Sequence, residues 1–204
     1  MRRLPLLLII ALTLSAAAFG QQTEESLLKR AFVKALSNDL VGAIADYTAV
    51  IKLNPNSDKA YNLRGNHREQ NGDVAGSIED YTSAITLVPK MAVYFGNRAN
   101  AYSRLGDSKR ALADYDSALK LDPTSKLNDT LYLARGRLKF GLKDYEGAIA
   151  DLGKAIEFNP NFVAAFEARS KVYRALGKIA LADADDKNAE TAKQKLLEIM
   201  NKHN

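Results

Sequence analysis

The chain has 204 residues, of which 47% are hydrophobic and 26% are charged, a composition typical of a globular protein and not of a disordered one. It contains no cysteine, which excludes disulfides, thiolate metal sites and cysteine nucleophiles. Its two histidines, His67 and His203, lie far apart in sequence, so we predict no metal site and no cofactor.

The net charge is +5, from 29 basic and 24 acidic residues. Arg2 and Arg3 lie in a segment that we expect to be removed, which leaves 29 − 2 − 24, or +3. Both signs are interspersed along the rest of the chain. A surface of this kind lacks the dense basic stripe of nucleic-acid-binding proteins, so we predict no nucleic-acid partner.

The first twenty residues have the layout of a secretory signal peptide. Two arginines precede an apolar run from Leu4 to Phe19, and cleavage after Ala18 or after Gly20 fits a small-x-small site. The alternative is a permanent membrane anchor, but a run of sixteen residues that includes a proline is short for a spanning helix. We therefore predict a signal peptide at 1–20, no stable membrane anchor after cleavage, and a periplasmic or extracellular protein.

The rest of the chain repeats a pattern of two amphipathic helices. The segments AIADYTAVIKLNP, SIEDYTSAITLVP, ALADYDSALKLDP and AIADLGKAIEFNP start 34, 34 and 37 residues apart, and each ends on a proline. Each second helix follows an aspartate, which is a preferred N-cap residue. The predicted N-caps are Asp39, Asp73, Asp107 and Asp144, and the closing prolines are Pro55, Pro89, Pro123 and Pro160.

This spacing resembles the tetratricopeptide repeat, a helical hairpin of 34 residues. The family's alternation of large and small residues is present, as in Tyr61, Gly65, Ser77, Tyr81 and Ala84 of the second unit. Small residues let helices approach closely, and large ones fill the gaps. The resemblance implies an all-α fold: an α-solenoid of five stacked antiparallel hairpins in a right-handed superhelix, with a C-terminal capping helix. We place the array at 24–196, with units 24–57, 58–91, 92–125, 129–162 and 163–196, and the capping helix at 187–202, overlapping the last unit.

Two departures from the pattern affect the stack. Lys126, Leu127 and Asn128 are three extra residues between units three and four. We expect them to lengthen a surface loop or to start the next helix early, with a change of pitch. The fifth unit loses its aromatic residue and its proline, and its second helix is polar up to Leu196. A terminal repeat needs a polar, solvent-exposed face to stay soluble. We therefore expect this helix to cap the stack, either continuous with the last unit or bent from it.

A pair of opposite charges recurs in every unit, sixteen residues apart. An antiparallel hairpin brings the two residues of each pair to the same height. We therefore predict structural ion pairs that fix the register of the helices, and not an arginine ladder that binds phosphate. The pairs are Arg30 with Asp46, Arg64 with Asp80, Arg98 with Asp114, Arg135 with Asp151, and Arg169 with Asp185.

The resemblance also implies a binding surface, because the first helices of tetratricopeptide hairpins line a concave groove that holds partner peptides. Asparagine amides can bind a peptide backbone with donor and acceptor together, and arginines favour acidic groups. A solvated helix face without a ligand is the alternative. Helical spacing places in the groove Lys59, Asn62, Asn66, Asn97, Asn100, Arg104, Arg137, Phe140, Lys171 and Arg174.

Chaperone-binding members of the family clamp a terminal carboxylate with two asparagines and several cations. Asn66 and Asn97 match the asparagines, but Asn62, Thr130 and Ala134 stand where cations are required, so we expect no such function. The sequence has no phosphate-binding glycine loop, and its acidic residues fall at helix caps and in the repeated pair.

We therefore predict a non-enzymatic scaffold that binds unidentified partner proteins through acidic or extended segments or helices. The alternative is a structural or assembly subunit that acts through homo-oligomer or convex-face contacts.

Overall fold

The computed structural model describes residues 23–202, which form ten helices and contain no strand. The predicted signal peptide at 1–20 and His203 lie outside the described residues. The helices are α1 Glu24–Leu36, α2 Leu40–Leu53, α3 Asp58–Gln70, α4 Val74–Leu87, α5 Ala92–Arg104, α6 Ser108–Leu121, α7 Asn128–Gly141, α8 Tyr145–Phe158, α9 Val163–Ala175 and α10 Ile179–Asn201.

The helices form five antiparallel hairpins that stack in chain order. Each odd-numbered helix packs on the even-numbered helix that follows it, and each even-numbered helix packs on the first helix of the next hairpin. The first helices α3, α5, α7 and α9 also contact one another in sequence. The predicted all-α solenoid is therefore confirmed, and we number its hairpins as repeats one to five.

Aspartate side chains fix the start of four second helices. Asp39, Asp73 and Asp144 each accept a hydrogen bond at 2.9 Å from the backbone N–H of the glycine three residues later. Asp107 accepts the equivalent bond from the backbone of Arg110 at 3.0 Å. A cap of this kind stabilises a helix by about 1 kcal/mol. The four predicted N-caps are therefore confirmed.

The small residues of the pattern lie where the helices approach most closely. A Cβ atom added at Gly65 would lie 2.7 Å from Cε1 of Tyr81, closer than real side chains come. Tyr81 is fully buried, as are Tyr47 and Tyr115 at the same place in their repeats, and Leu152 takes this place in repeat four. Each second helix also carries one small residue of the repeat pattern, and all five are fully buried: Ala43, Ser77, Ala111, Ala148 and Ala182. The expected packing of large residues against small ones is confirmed.

The three-residue insertion loosens the stack between repeats three and four. Helix α7 begins at Asn128, the last of the three inserted residues. Asn128 is buried and donates from Nδ2 to the carbonyl oxygen of Asp122 at 2.8 Å. The insertion thus both extends the loop and supplies the first helical residue. Helices α6 and α7 pack together more sparsely than the equivalent pairs at the other junctions.

The last helix is continuous. The residues expected to form a cap, 187–202, fall in the second half of α10, which runs unbroken from Ile179 to Asn201. Its buried residues are mostly alanines, and Leu196 and Leu197 near its end are exposed.

Candidate peptide-binding groove

Three depressions follow one another along α3, α5, α7 and α9, with volumes of about 250, 720 and 260 Å³. Arg104 lines the first and the second, and Arg137 lines the second and the third. The three depressions therefore form one continuous surface, which we call the groove. Seven of the ten predicted residues line it: Asn66, Asn97, Asn100, Arg104, Arg137, Phe140 and Lys171.

The other three predicted residues do not line these depressions. Asn62 lies beside them and accepts a hydrogen bond from Asn97. Arg174 pairs with two aspartates of its own hairpin, Asp183 at 3.1 Å and Asp186 at 2.5 Å. Lys59 is exposed near the start of α3.

The asparagine oxygens of repeat two are bonded within the protein. Nδ2 of Asn97 donates to Oδ1 of Asn62 at 2.9 Å and to Oδ1 of Asn66 at 3.2 Å. The hydroxyl of Tyr81 also donates to Oδ1 of Asn66, at 2.9 Å. The Nδ2 groups of Asn62 and Asn66 make no hydrogen bond to the part of the chain that the structure describes. Both amides therefore offer N–H donors to a ligand. The Asn66 oxygen accepts two hydrogen bonds and is filled, whereas the Asn62 oxygen accepts one and keeps a lone pair, so the donor and acceptor expected together are available at Asn62 and not at Asn66.

The same arrangement recurs in repeat three. The hydroxyl of Tyr115 donates to Oδ1 of Asn100 at 2.6 Å. Burial, and then the nearby charge of Glu69, raise the pKa of Tyr115 to about 12. The hydroxyl therefore remains a donor to the Asn100 oxygen at neutral pH, and the Nδ2 group of Asn100 makes no hydrogen bond to the described residues.

Glu69 is a groove residue that we did not predict from the sequence. Its carboxylate accepts from the Tyr81 hydroxyl at 3.2 Å and pairs with Nη1 of Arg104 at 3.1 Å. Burial, followed by the charge of Glu69, raises the pKa of Tyr81. Its place three residues after Asn66 on the same helix face was the available signal, but helical spacing does not show which partners a side chain reaches.

All five predicted arginine–aspartate pairs form. Each arginine donates from Nε and Nη2 to both carboxylate oxygens of its aspartate, at 2.6–2.9 Å. The aspartates are buried, and within the described residues no buried polar side-chain atom lacks a partner. In the three central repeats Nη1 also reaches the preceding second helix: Arg64 to Thr48, Arg98 to Thr82 and Arg135 to Asp116, at 3.1, 3.1 and 2.5 Å. The arginines therefore join neighbouring repeats as well as the two helices of one hairpin, which confirms their structural role.

A further depression of about 500 Å³ opens at the insertion, between α5, α6 and α7. Its walls include the apolar side chains of Met91, Val93, Leu121, Leu127 and Leu131. Four of these five are exposed, Leu127 to 61%. Asn97 and Asn100 line this depression as well as the groove, so the two are contiguous.

The described part of the chain shows neither a metal cluster nor a membrane span. Within residues 23–202 no three His, Asp or Glu side chains are grouped so that they could hold a metal ion. None of the described helices has the length and hydropathy needed to cross a bilayer.

The stacked hairpins and their concave groove define a helical-repeat protein. Family profiles described as tetratricopeptide repeat match residues 37–92, 92–125 and 129–162. Together these ranges cover more than half of the chain, which therefore belongs to the tetratricopeptide repeat family. No curated protein matches the sequence significantly.

Solved structures with the same fold include three tetratricopeptide-type proteins. MamA is 21% identical, over 82% of this chain and 96% of its own, with a TM-score of 0.75. PilW, a type IV pilus biogenesis factor, is 20% identical, over 86% and 80%, with a TM-score of 0.76. YrrB, a tetratricopeptide protein with an unusual peptide-binding site, is 16% identical, over 93% and 97%, with a TM-score of 0.68. At these identities the likeness is one of fold alone.

Proposed function

We propose that the protein is a non-enzymatic scaffold that holds partner proteins by binding their extended segments or helices in the groove. The observation that carries this proposal is the continuity of the groove over four successive first helices. A surface of this length can bind many residues of one segment. Because the groove is open to solvent, much of a bound segment stays hydrated and its affinity is modest.

The polar groups of the groove support the same proposal. The asparagine amides present N–H donors, and Arg137 and Lys171 add cationic donors. Donors of this kind suit the carbonyl groups of an extended peptide and carboxylate side chains. With the signal peptide predicted at 1–20, we propose that binding takes place in the periplasm or outside the cell.

Site-specific photo-crosslinking tests the proposal. A benzophenone amino acid replaces Lys171 in the groove or, as a control, Lys120 on the second helix α6; both lysines are exposed. In cells that naturally make the protein, we expect protein adducts from position 171 and not from position 120. Adducts only from position 120 would contradict groove binding and favour the convex-face alternative, and the absence of adducts at both positions would contradict the scaffold itself.

One observation favours the alternative of self-assembly. The outer side of repeat one exposes three apolar side chains of α1: Phe32, Val33 and Leu36, at 60%, 62% and 73%. A solenoid end of this kind can stack against a second copy. Light scattering over a wide concentration range measures the association, and a monomer at every concentration excludes this role.

A further inference from the structure

Arg137 differs from the other arginines of the described chain. Residues 23–202 contain ten arginines; nine have a carboxylate oxygen within 4.0 Å, and Arg137 has none. Its side chain is exposed in the groove, at the boundary of the second and third depressions. Residues 23–202 therefore leave this guanidinium available to a ligand.

Arg137 belongs to a series of equivalent positions on the first helices. Asn66, Asn100, Arg137 and Lys171 follow one another at the repeat spacing of 34, 37 and 34 residues. The character of this position changes from neutral amide to cation between repeats three and four. The groove is therefore electrically asymmetric, with its positive half over α7 and α9.

No described carboxylate oxygen lies within 4.0 Å of the charged group of Arg137 or of Lys171. Glu167, a carboxylate of the same depression as Lys171, pairs instead with Lys193 at 3.1 Å. In repeat three, by contrast, Arg104 is held by Glu69. The unsatisfied charge of the groove is thus confined to repeats four and five.

Apolar surface lies on both sides of Arg137. The second depression brings Leu138 and Leu142 next to it. The third brings the half-buried ring of Phe140 to its other side. A carboxylate bound at Arg137 would therefore have room for an apolar neighbour in each direction along the groove.

We propose that repeats four and five bind an acidic segment of a partner protein, in which apolar residues flank a carboxylate side chain held by Arg137. A second carboxylate of the segment binds Lys171. This inference rests on the groove binding proposed above and adds the chemistry of the partner. Arginine is suited to the first position because its guanidinium binds a carboxylate through two parallel hydrogen bonds. The neutral amides of repeats two and three bind the rest of the segment through its backbone.

Selection from a random dodecapeptide library tests the inference. The peptides are displayed with blocked C-termini, so that only side-chain carboxylates are available, and are selected on the purified protein. We expect enrichment of Asp and Glu with apolar residues on either side. An enriched peptide is then synthesised, and its dissociation constant is measured by fluorescence anisotropy.

Two matched variants locate the effect. Arg137→Gln removes the unpaired guanidinium, and we expect about tenfold weaker binding of the enriched peptide because a charge-assisted bidentate contact is lost. Arg110→Gln removes the same charge from α6, outside the groove, and should change the dissociation constant less than about twofold, since exposed charges outside the contact are screened. The Arg137 side chain makes no hydrogen bond or ion pair with the described residues, so its variant should melt at the wild-type temperature.

The outcomes separate this inference from the proposed function. Enriched peptides without acidic residues, or equal effects of the two variants, would overturn acidic recognition and leave groove binding standing. A selection that enriches no peptide would contradict both.

Discussion

Gly65→Ala should destabilise the protein, whereas Gly153→Ala should not, although both change a glycine inside a helix. The new Cβ at residue 65 would lie 2.7 Å from Cε1 and 3.0 Å from Cδ1 of Tyr81. That ring is buried, and its hydroxyl is bonded to Asn66, so it cannot easily move away. Overpacking of this kind costs about 1–3 kcal/mol. At residue 153 the nearest atom to the new Cβ is Nη1 of Arg169 at 3.7 Å, an ordinary contact.

The difference between the two variants isolates the clash, because both gain about 1 kcal/mol of helix propensity from alanine. We expect the unfolding free energy of Gly65→Ala to be lower than that of Gly153→Ala by about 1–3 kcal/mol. Urea titration followed by far-UV circular dichroism measures both, with equal m-values expected because the same surface is exposed on unfolding. Equal stability of the two variants would refute the close approach of α3 and α4 on which the hairpin geometry depends.

Asp80→Ala should cost about 3 kcal/mol, because Arg64, only 12% exposed, loses its carboxylate and Arg68 keeps only Asp73, at 3.7 Å. Asp116→Ala, with a carboxylate 67% exposed, should cost under about 1 kcal/mol. Urea titration compares the two variants, and equal losses would contradict the structural role of the repeated pair. Asn128→Ala should cost about 1–2 kcal/mol by removing the bond to the Asp122 carbonyl, and an unchanged urea midpoint would show that this bond does not hold the inserted loop. Burial raises the pKa of Tyr115 to about 12, whereas the same hydroxyl in the unfolded chain ionises near pH 10. The stability that comes from keeping this hydroxyl protonated is therefore complete below about pH 10 and is lost as the pH rises towards 12. Tyrosinate absorbance and urea titration between pH 10 and about 12 should show this decline, and an unfolding free energy that does not change with pH would contradict it.

The fold could be predicted because the sequence repeats the same pattern of small and large packing residues in several units. Ala43, Ser77 and their equivalents mark the close contacts, and Tyr47, Tyr81 and Tyr115 mark the spaces that must be filled. A chance pattern would not recur at 34 residues in both helices of a hairpin. The ion pairs were equally predictable, because an antiparallel hairpin fixes which residues lie at the same height.

The details of the groove were less predictable, because they depend on contacts between repeats. Spacing placed Asn66 and Asn97 on the right face, but it did not show that the Asn66 oxygen accepts from Tyr81 and Asn97. Nor did it show that Asn97 also donates to the Asn62 oxygen. Glu69 was missed for the same reason, since its role depends on partners in two other helices. Arg137 was predicted as one cation among several, and only the ion pairs of the other arginines distinguish it from them.

Groove binding requires that the first helices, and not the second, hold a partner chain. Backbone amide NMR during titration with an enriched acidic peptide tests this requirement residue by residue. We expect chemical-shift changes concentrated in α7 and α9, smaller ones in α3 and α5, and none in the outer part of α6 and α8. Changes concentrated in the even-numbered helices, or at the exposed apolar end of repeat one, would contradict it.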